Sequence, residues 1–158
     1  MIAVIGCGNL NRQDDGAGIE VIRQLHSRGI ASETVRLFDA GTDGMAVMFQ
    51  ARGCTKLIVI DASRTGVDSG AIYEVPGSEL ELPYSPGLNL HDFRWDAALH
   101  AGRMIFKDEF PSDVKVFLIE AESLGLGIGL SASVMIAAST VADRVESLVR
   151  QSRDADHT

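Results

Sequence analysis

The run Lys56-Leu57-Ile58-Val59-Ile60 places four large apolar residues in a row, three of them β-branched, and stops at Asp61. An unbroken run of this kind reads as a strand covered on both faces, because a strand with one wet face would alternate apolar with polar. Ile2 to Ile5 repeats the pattern at the amino terminus. Two such strands confine the chain to a layered α/β fold, with helices above and below an open sheet. Ligands of such sheets bind at the carboxyl edge, where strand ends and helix amino termini converge.

The remaining elements follow in order. Glycines and polar residues from Gly6 to Gly18 form a loop after the first strand, with Asp14 and Asp15 at the mouth of the crevice. Ile19 to Leu25 is a first helix, which Gly29 stops. Glu33 to Phe38 is a second strand, Asp39 to Gly44 a loop, and Met45 to Ala51 a second helix. Ala71 to Val75 is a fourth strand. The link to it from the third strand is too short for a helical crossover, so it is expected to run antiparallel. The prolines and glycines between Pro76 and Asn89 make a long loop, a feature often tied to function. A third helix is expected over His91 to Phe106 with Asn89 as its cap, then a strand Val114 to Ile119. A glycine-rich turn, Gly125 to Gly129, leads through Ser131 as cap into a last helix ending near Arg150. The organisation is therefore one α/β domain over residues 1–150 and a frayed polar tail over 151–158.

A chain of 158 residues can bury the core such a domain needs. No apolar run reaches the roughly 18 residues of a membrane span, and the start lacks a signal peptide's basic flank. Cys7 and Cys54 make neither a disulfide framework nor a C-x-x-C site. These features point to a cytoplasmic protein with buried, reduced thiols. The formal charge of −8 argues against nucleic acid and anionic membrane as partners.

On this scheme Asp15, Asp39, Asp61, Glu120 and Glu122 each follow a strand, and His91 opens a helix. All of them can share one rim. Carboxylates gathered in a crevice repel one another unless a cation or amide donors compensate, and imidazole with carboxylates suits a divalent transition metal. A first-turn position would also keep His91 neutral, the form that ligates.

Four motifs carry a resemblance to a family. The start G-C-G-N-L-x-x-x-D-D-G-x-G, then D-A-G-T-x-G, L-I-V-I-D-A and E-A-E-S-L-G-L-G-I-G-L-S resemble the hydrogenase maturation endopeptidases, in the same order across nearly the whole chain. The resemblance implies a three-layer α/β fold: a twisted, five-stranded mixed sheet with one antiparallel strand and helices on both faces. It implies an endopeptidase that removes the carboxy-terminal extension of a nickel-iron hydrogenase large-subunit precursor after nickel insertion. Asp15, Asp61 and His91 would contact the nickel, which the precursor supplies, and carry the cleavage. Other divalent metals would occupy the site in isolation. Asp39, with Gly41 and Thr42 of the D-A-G-T match, falls to substrate recognition. The sequence departs from the family around the histidine, where Ser85-Pro86 stands several residues ahead of His91 and Asp92-Phe93-Arg94-Trp95 follows it.

Blander roles compete at each position. Asp14 is expected to cap the first helix, Asp61 could close a turn, Glu120 and Glu122 read as solvated rim charges, and Trp95 as packing. Among rival functions, nucleotide binding lacks the third glycine of G-x-G-x-x-G, since Asn11 stands there. Peptidyl-tRNA hydrolysis calls for a basic stripe that this acidic chain lacks. A non-catalytic, metal-sensing assembly factor is the remaining alternative. No G-x-S-x-G elbow is present, and Cys7 has no assigned base.

Overall fold

A computed structural model describes residues 1–83 and 93–158. Its centre is a five-stranded sheet ordered β2-β1-β3-β5-β4. The strands are β1 (Ile2–Cys7), β2 (Val35–Gly41), β3 (Lys56–Ser63), β4 (Ile72–Pro76) and β5 (Asp113–Glu120). β1, β2, β3 and β5 are parallel, and β4 alone runs antiparallel, on the far edge beside β5. The helices are α1 (Ala17–Ser27), α2 (Gly44–Ala51), α3 (Trp95–Phe106) and α4 (Ala132–Ala155). The mixed α/β sheet with a single antiparallel strand matches the expectation.

The unbroken apolar runs divide themselves between two cores. Val4, Ile58, Ile60, Phe117 and Ile119 face α1 and α4 on one side. Ala3, Ile5, Leu57, Val59 and Val116 face α2 and α3 on the other. Successive strand residues point to opposite faces, so a strand between two helical layers needs apolar side chains at every position. Close approach of α1 depends on a missing side chain. A Cβ on Gly18 would collide with the carbonyl oxygens of Ile60 and Cys7, so glycine lets α1 lie directly on β1 and β3.

Several element ends differ from expectation. β3 runs past Ile60 through Asp61 to Ser63, because β5 pairs with it that far, so Asp61 sits inside the strand. β2 continues through Asp39 and Ala40 to Gly41, because β1 pairs with it that far: Gly6 opposes Asp39 and, after a register shift, Cys7 opposes Gly41. Asp39 therefore sits in a strand and not in the loop after it. α3 begins at Trp95, since Arg94 is extended (φ −95°, ψ 178°) and acts as its N-cap. The expected start at His91 is thus not met at Phe93 and Arg94, while His91 itself and Asn89 lie outside the described residues. α4 runs five residues past Arg150 to Ala155. Arg153 holds its last turns by donating to the Ser32 hydroxyl (2.9 Å) and the Ile30 carbonyl (3.3 Å). No helix among the described residues is long and apolar enough to cross a membrane.

Candidate active site

At the carboxyl edge of the sheet lies a cleft of about 190 Å³ whose lining includes Gly8, Arg12, Asp15, Thr42, Asp61 and Arg94. Cys7, Gly41 and Trp95 add to its wall. β1 and β3 deliver Gly8 and Asp61, a short 3-10 turn, Gln13–Gly16, delivers Asp15, and β2 delivers Gly41. The backbone ties these ends together, with the Gly8 N–H donating to the Gly41 carbonyl at 2.8 Å.

Asp61 forms the floor. It is 1% exposed, and its Oδ2 accepts from Arg94 Nη2 at 2.9 Å and from Trp95 Nε1 at 2.8 Å. Its Oδ1 accepts the Ala62 N–H at 2.8 Å. Burial pushes its carboxyl up to about 6, against the lowering pull of Trp95, Arg94 and the Ala62 N–H, and Asp15 adds to the rise. The two carboxylates therefore feel each other. Gly8 stands between the Asp61 carboxylate and the Asp15 backbone: with φ +135°, a Cβ there would strike the Asp15 carbonyl oxygen and lie 3.7 Å from Asp61 Oδ1. Only glycine fits at this point. Asp15 is half-buried, and its Oδ2 accepts from the Asn9 N–H at 2.8 Å.

Asp14 does something the sequence did not suggest. α1 has Gly16 as N-cap with no side-chain cap, and Asp14, 1% exposed, turns instead to the glycine-rich loop. Its carboxylate accepts from the Glu122, Ser123 and Ser131 N–H groups (2.9, 3.1 and 2.8 Å) and from the Ser131 hydroxyl (2.9 Å). Burial alone would raise this carboxyl, but the donors from Ser131, Ser123 and Glu122 together outweigh it and hold it below the ordinary aspartate value. Ser131 stands at the N-cap of α4 as expected, yet its hydroxyl serves Asp14 and not the helix. The loop is thereby locked to the turn that carries Asp15.

Hydrogenase maturation protease is the family whose model matches residues 19–148. The chain belongs to that family. The Escherichia coli (strain K12) hydrogenase 2 maturation protease is 26% identical over 152 residues, covering 96% of this chain and 92% of its own. The solved hydrogenase maturating endopeptidase HybD from E. coli superposes with a TM-score of 0.80 over 96% of this chain and 93% of that one, at 26% identity. A hydrogenase maturation protease HybD from Thermococcus kodakarensis shares the fold at 20% identity, with a TM-score of 0.74 over 94% and 98%.

Within this hydrogenase maturation protease, the structure brings Asp15 and Asp61 into one cleft and lines it with Gly41 and Thr42. Asp39 lies just outside, exposed on the edge strand, in a neighbouring hollow that shares Gly8, Gly41 and Thr42 with the cleft. Its Oδ1 accepts the Gly41 N–H at 2.8 Å and so shapes the rim. His91 lies outside the described residues, among which no three His, Cys, Asp or Glu side chains group as a metal site.

Two of the plainer readings also change, those of Glu120 and Trp95, while Cys7 is buried as expected. Glu120 is fully buried and not a rim charge; it accepts from the Thr65 N–H and hydroxyl, fastening the segment after β3. Trp95 packs, but its indole N–H also serves Asp61. Burial pushes the Cys7 thiol well up, and Asp61 pushes it further. That opposes thiolate formation in the protease. The contact of Arg94 with Asp61, 33 positions away, has no local signal in the sequence.

Proposed function

We propose that this protease removes the carboxy-terminal extension of a nickel-iron hydrogenase large-subunit precursor once nickel is in place, and reads that nickel with Asp15, Asp61 and His91. The observation that carries the reading is the sharing of one cleft by Asp15 and Asp61, with Gly8 clearing the space beside them. Two carboxylates and an imidazole form a donor set suited to a divalent transition metal. Nickel belongs to the substrate here and arrives with it. When bound, a metal ion of this kind polarises a carbonyl and activates water.

The chain contributes position. Asp61 waits at the floor, held by Arg94 and Trp95. Asp15 waits at the mouth on a turn that Asp14 locks in place. Gly41 and Thr42 line the wall past which the precursor's chain would run, with Asp39 at the rim for recognition. The reaction would take place in the cytoplasm, where Cys7 and Cys54 stay reduced.

The test mixes the protein with nickel-loaded and nickel-free precursor and follows the precursor's mass. Loss of the carboxy-terminal segment from the nickel-loaded form alone is expected, and Asp15→Ala, Asp61→Ala or His91→Ala should each abolish it. A stable complex with no loss of mass would make the protein an assembly factor. Undiminished cleavage by Asp61→Ala would overturn the site.

A further inference from the structure

The residues that open α3 are the ones that reach Asp61. A carboxylate offers about four lone-pair sites, two on each oxygen. On Asp61, Oδ2 takes two donors, Arg94 Nη2 at 2.9 Å and Trp95 Nε1 at 2.8 Å, while Oδ1 takes one, the Ala62 N–H at 2.8 Å. Among the described residues the spare site is on Oδ1, the oxygen beside Gly8. The arrangement is stiff. The Ala62 N–H belongs to β3, and Trp95 is the first residue of α3, 8% exposed in the core between that helix and the sheet. Arg94, the N-cap, has a side chain 62% exposed and reaches Asp61 from the solvent side.

We propose that Arg94 and Trp95 are positioning residues that fix Asp61 as a one-oxygen ligand, saturating Oδ2 so that only Oδ1 can meet a metal. The proposal rests on the reading of Asp61 as a metal ligand. Ligand orientation by outer partners is a general feature of metal sites, and loss of such a partner typically weakens metal affinity about ten- to a hundredfold. One-oxygen presentation also favours small transition-metal ions over calcium, which takes carboxylates in either one- or two-oxygen mode and wants six to eight oxygens.

Trp95→Phe keeps an aromatic ring and removes only the indole N–H; Arg94→Lys keeps the charge and removes the planar fork. Calorimetric titration of the full chain with nickel(II) ions alone is expected to show affinity at least tenfold weaker in each variant than in the unaltered protein. Leu99→Val, a core truncation on the same helix, should lower the melting temperature and leave nickel affinity unchanged, which separates orientation from general loosening. Wild-type affinity in both Trp95→Phe and Arg94→Lys would overturn the proposal. Asp61→Asn that binds nickel as tightly as the unaltered chain would instead sink the assignment of Asp61 as a ligand.

Discussion

Asp14 and Asp61 are equally inaccessible, and their surroundings drive them in opposite directions. Asp14 spends its charge on four donors and is held below its ordinary value. A group depressed on folding contributes stability that is present above its unfolded value, near 4, and lost as the pH falls through the folded one. Asp14→Asn should therefore cost about 2 kcal/mol or more at pH 7, through donors left without an anionic partner. The cost should shrink below about pH 4; thermal unfolding at pH 7 and pH 3 checks both. Asp61 has the reverse sign. With its carboxyl raised to about 6, folding binds protons between about pH 4 and 6, so this group's contribution falls as the pH rises through that window. Asp61→Asn is expected to stabilise the fold at pH 7 by up to about 3 kcal/mol, less what its amide loses against the Ala62 N–H. Keeping Asp61 ionised at pH 7 is thus expected to cost the fold stability, and a lower melting temperature for Asp61→Asn than for the unaltered protein at pH 7 would contradict that account.

At the scale of elements, the cleft exists because α1 can lie against β1 and β3 at Gly18, bringing the turn with Asp15 over the end of β3. Gly18→Ala would force α1 away from the carbonyls of Ile60 and Cys7. Overpacking of this kind costs about 1–3 kcal/mol. Because the displaced helix carries the Asp15 turn with it, cleavage of the precursor should fall by more than that loss of stability explains, as measured by turnover at a temperature where the variant is fully folded. The element ends were harder to read than the elements. Nothing local distinguishes Asp39 as strand from Asp39 as loop, because pairing with Gly6 decides it. Likewise α4 outlasts its apolar stripe because Arg153 finds Ser32 and Ile30, far away along the chain.

For the whole molecule, charge bears on partner choice. A formal charge of −8 leaves a polyanion no counterion release to drive binding. Cleavage of the precursor is accordingly expected to be unchanged by excess transfer RNA, and inhibition in a turnover assay would contradict this. Local pattern was enough to read the α/β class, the antiparallel β4, the two-sided core and the motifs that bring Asp15 and Asp61 toward the carboxyl edge of the sheet, because periodicity, glycine spacing and link length are carried by neighbouring residues. That Asp14 locks the loop over 122–131, that Glu120 is buried, and that Arg94 and Trp95 fill one oxygen of Asp61 became visible in the folded chain alone. Each of these depends on a donor and an acceptor separated by 33 to 117 positions along the chain. A side chain's partner at such a distance is set by how the layers stack, and stacking has no signature within a window of sequence.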